Sequence, residues 1–139
     1  MTLVLDTSVA IKWAVPEEGS AEAVELLSRS FVAPDLFQAE VANALTKKVR
    51  GRELKADQAS DAFRLIAAHV TLLRAEAFGR TSFDLSLLLN HSVYDCYFLA
   101  AAEALGYPLV TADAVFTAKV RRVRPEAPIY LLGEEMPHD

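Results

Sequence analysis

Short apolar runs alternate with longer amphipathic stretches along the whole chain. Thr2-Leu3-Val4-Leu5-Asp6 reads as a short buried strand. Ser8 to Val15 has a helical pattern that stops at Pro16, and Ser20 is placed to cap a helix from Ala21 to Arg29. Phe31-Val32-Ala33 before Pro34 reads as a second strand. Asp35 is an N-cap candidate for a helix to about Arg50, stopped at Gly51, with Phe37, Val41, Ala44, Leu45 and Val49 at a 3.6-residue period. Ala56 to Ala68 is a further helix, followed by a strand at Val70 to Leu73. Phe83–Leu89 and Val93–Leu105 are helical, the second ending at Gly106. Pro108 to Thr111 is a buried strand, Ala114 to Arg122 a helix, and Ile129 to Leu132 a last strand. Strands separated by helices imply parallel pairing with helices on both faces. The expected class is α/β, a three-layer α/β/α sandwich around a mainly parallel five-stranded sheet.

With 139 residues and neither a repeat nor a linker-like stretch, residues 1–139 are expected to form one domain. No apolar run approaches the roughly 18 residues of a membrane span. The start lacks the basic and long apolar regions of a signal peptide, and Cys96 is the only cysteine. Both features point to the cytoplasm. A net charge of −5 argues by itself against a nucleic-acid partner. Two stretches run against the average: Lys47, Lys48, Arg50, Arg52 and Lys55, and then Lys119, Arg121, Arg122 and Arg124. Taken alone, each reads as a solvated helix end, where cations complement the C-terminal dipole.

In open α/β sheets, ligands bind outside the carboxyl ends of the strands, near a topological switch point. Asp6 closes the first strand and Asp113 follows the fourth. Glu40 lies one turn from Asn43 on its helix. Asp95 is the one residue charged at neutral pH between Val93 and Ala102, at the head of an apolar stripe of Phe98, Leu99 and Ala102. Such a carboxylate is costly to bury unless paired, capped or bound to metal. Each acid also has a plainer role. Asp6 can form an Asx-turn or cap, Asp95 can complete a capping box from Ser92, Asp113 can cap the helix at Ala114, and Glu40 can face solvent. Their coincidence in one crevice favours chemistry. Clustered carboxylates need a cation, and all-oxygen ligands suit Mg²⁺ or Mn²⁺ rather than zinc. His69, His91 and His138 are far apart in the chain and suggest no His/Cys cluster. Among the aromatics, Phe37, Phe63, Tyr94, Tyr97 and Phe98 read as core or interface, with Trp13 a candidate for the rim of the cleft. Cys96 reads as packing, having no paired histidine.

The segments Leu5-Asp6-Thr7-Ser8-Val9, Glu40-Val41-Ala42-Asn43-Ala44-Leu45, Tyr94-Asp95-Cys96-Tyr97 and Thr111-Ala112-Asp113 resemble the motifs of PIN-domain nucleases of the VapC toxin type, in order and spacing over nearly the whole chain. The resemblance implies a sheet of about five parallel strands and an acidic pocket for one or two Mg²⁺ or Mn²⁺ ions. It also implies an RNA substrate, a homodimer, and a VapB antitoxin whose C-terminal segment blocks the cleft. Carried over by position, Asp6, Glu40, Asp95 and Asp113 take the catalytic roles. Asp6 and Asp95 are the principal metal ligands, and Asp113 completes the site directly or through water. Glu40 either ligates metal or positions water. Thr7 or Ser8, Asn43 and Thr111 take supporting roles, while Lys47, Lys48, Arg50, Arg121 and Arg122 are candidates to touch RNA. The implied reaction is in-line attack of a metal-activated water on a phosphodiester, leaving a 5′-phosphate and a 3′-hydroxyl. A phosphoaspartate hydrolase would want a second Asp at position 8, where Ser8 stands, and a receiver domain an acidic pair and a late Lys that are missing. A non-catalytic interaction module and a DNA-acting nuclease of the same fold are the remaining alternatives.

Overall fold

Leu3, Val4 and Leu5 are fully buried, as expected of a strand covered on both faces, and they form β1 (Thr2–Leu5). In the computed structural model, which describes residues 1–137, β1 lies at the centre of a five-stranded sheet of order β3-β2-β1-β4-β5. The other strands are β2 (Ser30–Pro34), β3 (Val70–Leu73), β4 (Leu109–Thr111) and β5 (Ile129–Leu131). Every neighbouring pair is parallel, including β1–β4, where Val4 faces Leu109 and Leu5 faces Val110. The chain builds outward from β1 to β3, then returns to β4 on the other side of β1. The switch point therefore falls between β1 and β4, and their carboxyl ends open the crevice.

The helices make the outer layers. One group comprises α1 (Thr7–Ala10), α2 (Ser20–Glu25), α3 (Leu36–Arg50) and α4 (Ala56–His69). The other comprises α5 (Gly79–Leu89), α6 (Val93–Leu105) and α7 (Ala114–Val123). On α3, Phe37, Val41 and Leu45 recur every four residues and are the buried face. On α6, Cys96 and the run from Phe98 to Ala102 are buried, and this helix packs on β1, β2 and β4. No helix among the described residues is long and apolar enough to cross a membrane.

Three local readings change. The stretch after β1 is helical only to Ala10, then tightens into a 3₁₀ turn at Ile11–Trp13. Gly19, at φ +88°, occupies the N-cap position of α2, a left-handed conformation that favours glycine. Ser20 is instead the first helical residue, its hydroxyl donating to the Val15 carbonyl. Helix α5 starts at Gly79 rather than Phe83, after a 3₁₀ turn over Ala75–Phe78. Gly79, Thr81 and Ser82 are weak helix formers, and Ser82 is tolerated because its buried hydroxyl donates to the Phe78 carbonyl at 2.7 Å.

Candidate active site

Asp6 leaves the end of β1 directly into α1. Its main-chain N–H donates to Val110 O on β4 at 3.1 Å, locking the two strand ends together. Its carboxylate accepts from the Ser8 N–H at 3.3 Å, so it does cap α1, but it accepts more than a cap requires. Ser8 Oγ donates a short hydrogen bond to Oδ2, and Thr111 Oγ1 donates to the same oxygen at 3.1 Å. Ser8 and Thr111 are themselves fixed by the main chain just after β4: Ala112 N–H donates to Ser8 Oγ at 3.0 Å, and Asp113 N–H to Thr111 Oγ1 at 3.1 Å. Glu40 reaches the same place from α3, accepting from Thr7 Oγ1 at 2.8 Å. One turn on, Asn43 is exposed, and its side chain has no hydrogen bond among the described residues.

Asp95 and Asp113 close the other side. Asp113 caps α7 by accepting from the Phe116 N–H at 2.9 Å. Asp95 does not complete the capping box, since Ser92 makes no side-chain cap bond. Its Oδ2 lies 2.6 Å from His91 Nε2 instead. One nitrogen of His91 and one oxygen each of Asp95 and Asp113 fall within 4.8 Å of one another, a spacing compatible with a metal ion. The histidine is thus a site neighbour that the sequence reading passed over. Its signal was position: it stands four residues before Asp95, across the α5–α6 turn. His69 sits elsewhere, against Trp13, and His138 lies outside the described residues.

The electrostatics of the pocket follow from burial and crowding of its acids. Burial pushes the Asp6 carboxyl from 3.8 up to about 6, opposed by the Ser8 and Thr111 bonds and reinforced by Asp95. Burial also raises Glu40, with Asp6 and Asp95 adding to the effect. Among the described residues, no lysine or arginine bonds Asp6 or Glu40; their partners are neutral hydroxyls and an N–H. Converging carboxylates with only neutral donors fit a hard divalent cation. Cys96, beside Asp95, is fully buried with its thiol pushed up to about 11, mainly by burial, and is packing.

The remaining candidates divide. Trp13 is part of the packing: its indole N–H donates to Ala23 O at 2.7 Å and its ring tilts against Phe31 at 5.3 Å. Arg121 is engaged by both carboxylate oxygens of Glu134 and by Ile129 O. Arg124 pairs with Glu103. Lys47, Arg50 and Arg122 are exposed, and Lys48 lies 3.8 Å from Glu17.

Residues 3–121 match the model of the PIN domain family. The chain is also 32% identical over 124 residues to Ribonuclease VapC3 of Pyrobaculum aerophilum, spanning 86% of this chain and 95% of that protein. This chain is a PIN-domain protein of the VapC type. Solved structures agree on the fold. PAE2754 of Pyrobaculum aerophilum superposes with a TM-score of 0.70 at 19% identity, over 95% of this chain and 90% of that one. VapBC2 of Rickettsia felis, bound to a DNA fragment from its promoter, gives 0.67 at 16% identity over 94% and 98%. A toxin–antitoxin complex of Klebsiella pneumoniae gives 0.68 at 14% identity over 96% and 99%. The PIN sheet is five-stranded here, as the sequence pattern predicts, and it is wholly rather than mainly parallel.

Proposed function

We propose that this PIN-domain chain is a divalent-metal-dependent endoribonuclease, the toxin of a type II toxin–antitoxin pair. The observation that carries the reading is the set of four carboxylates at the β1/β4 switch point, in a chain 32% identical to a named ribonuclease. Asp6, Asp95 and Asp113 would hold Mg²⁺ or Mn²⁺, and Glu40 would ligate it or orient the attacking water. When bound, the ion neutralises charge on the phosphate and lowers the pKa of a water. The chain's own residues do the positioning. Ser8 and Thr111 aim Asp6, Thr7 aims Glu40, and Asn43 offers an exposed amide on the Glu40 helix. RNA phosphates would run along Lys47, Lys48, Arg50 and Arg122. Products would be a 5′-phosphate and a 3′-hydroxyl.

A cytoplasmic setting fits the lone buried thiol of Cys96. A homodimer fits α5, where Phe83, Leu87 and Leu88 remain 53%, 69% and 55% exposed. A VapB-type antitoxin as partner is supported by the toxin–antitoxin complexes among the structural neighbours. The test is cleavage of labelled RNA, beside DNA of the same sequence, in Mg²⁺, Mn²⁺ or EDTA, with calorimetry for metal binding. RNA cutting that requires the metal is expected. A folded protein that binds neither ion and cuts nothing overturns the reading, and cutting confined to DNA reassigns the substrate.

A further inference from the structure

His91 has a second neighbour that the proposed chemistry leaves unused. Lys119 Nζ, from α7, lies 3.3 Å from His91 Nδ1 and donates to the Asn90 carbonyl at 3.0 Å. Asn90 closes α5 in the left-handed conformation (φ 49°, ψ 54°), which asparagine tolerates better than most side chains. The imidazole also packs on Phe116, ring centroids 4.7 Å apart, and only 12% of its side chain is exposed. The ring is therefore gripped on an edge and a face.

An ammonium offers donors and no lone pair, so a ring nitrogen bonded to it accepts. Nδ1 then carries no proton, and the ring proton sits on Nε2, where it donates to Asp95 Oδ2 at 2.6 Å. Both nitrogens are committed, which leaves His91 no free lone pair for a metal. Asp95 accepts the His91 bond on Oδ2, which leaves Oδ1 as its oxygen without a hydrogen bond among the described residues. We propose that His91 and Lys119 are positioning residues: Lys119 sets the Nε2–H tautomer of His91, and His91 fixes the rotation of Asp95 so that Oδ1 is its metal-facing atom. This rests on Asp95 holding the ion, as proposed above. It matters because Mg²⁺ tolerates little departure from octahedral geometry, and lost partners of ligands cost about 10–100-fold in metal affinity or activity.

The first measurement is the tautomer, read from imidazole ¹⁵N shifts of the metal-free full chain at about pH 8, where an ordinary imidazole is neutral. The His91 signals are assigned by their loss in His91→Gln. A protonated Nε2 and a bare Nδ1 are expected, and the reverse tautomer overturns the proposal. Lys119→Met should mix the tautomers and weaken Mg²⁺ binding by about tenfold, with Lys119→Arg restoring both because it keeps a donor. Unchanged shifts and affinity in Lys119→Met overturn it. A Mg²⁺-induced shift at a His91 nitrogen of the size direct ligation produces overturns it too, making the imidazole a ligand. A wild type that neither binds metal nor cuts RNA defeats the nuclease reading, while the tautomer still decides the Lys119–His91 arrangement.

Discussion

On the β1 side of the pocket, Asp6 and Glu40 are held by hydroxyls: Ser8 and Thr111 for the first, Thr7 for the second. On the α6–α7 side, Asp95 meets an imidazole backed by an ammonium, and Asp113 sits at the N-terminus of α7. Neutral donors orient a carboxylate without cancelling its charge. The hydroxyl side therefore carries an electrostatic debt that burial enlarges, seen in the raised Asp6 and Glu40. The other side sets its acids with an imidazole polarised by Lys119 and with a helix end. The comparison teaches that the β1 side is where an incoming cation gains most.

The sharpest way to break that contrast is Asp6→Asn. RNA cleavage should fall on the order of a thousandfold, equivalent to roughly 4 kcal/mol of transition-state stabilisation. Activity within a few fold of wild type would remove Asp6 from the site. The same substitution tests the pH dependence. Asp6 is protonated in both folded and unfolded chains below its ordinary 3.8, and the folded chain keeps the proton up to about 6. The folded state thus binds more protons between these values, and stability of the metal-free protein falls as pH rises through them. Relative to Asp6→Asn, wild type in EDTA should lose on the order of 3 kcal/mol between pH 4 and pH 7, read from denaturant midpoints. Added Mg²⁺ should return much of it to wild type and none to the variant; a flat difference across pH would defeat the account. The smallest effect is expected at Thr7→Val, which removes one neutral hydrogen bond to Glu40. Cleavage should drop about fivefold, near 1 kcal/mol, with the melting temperature little changed. A loss as large as that of Asp6→Asn would mean that Thr7 itself touches the reacting groups.

Much of the frame was legible because it rests on local signals. The three-residue apolar run before Asp6, the period of Phe37, Val41 and Leu45, and Gly106 after α6 each announce an element that the structure contains. The meeting of Asp6 and Asp113 at one crevice followed from parallel topology. What escaped the sequence depends on contacts across the chain. His91 reaches Asp95 only because Asn90 turns left-handed after α5, and its other nitrogen meets Lys119, 28 residues later. The capping box at Ser92 matched a local pattern, yet Asp95 turned to a better partner. Arg121 looked like a free cation in a basic run until Glu134, after β5, claimed both ends of its guanidinium.

The position of β1 at the middle of the sheet has a consequence for synthesis. Asp6 leaves the ribosome about a hundred residues ahead of its strand neighbour β4 and the Thr111 hydroxyl it needs. Pairings so distant in sequence form slowly and late, since loop closure must precede them. The nascent chain carries Asp6, Glu40 and Asp95 before it carries a pocket. Completion of the pocket thus waits on the emergence of β4 and Asp113.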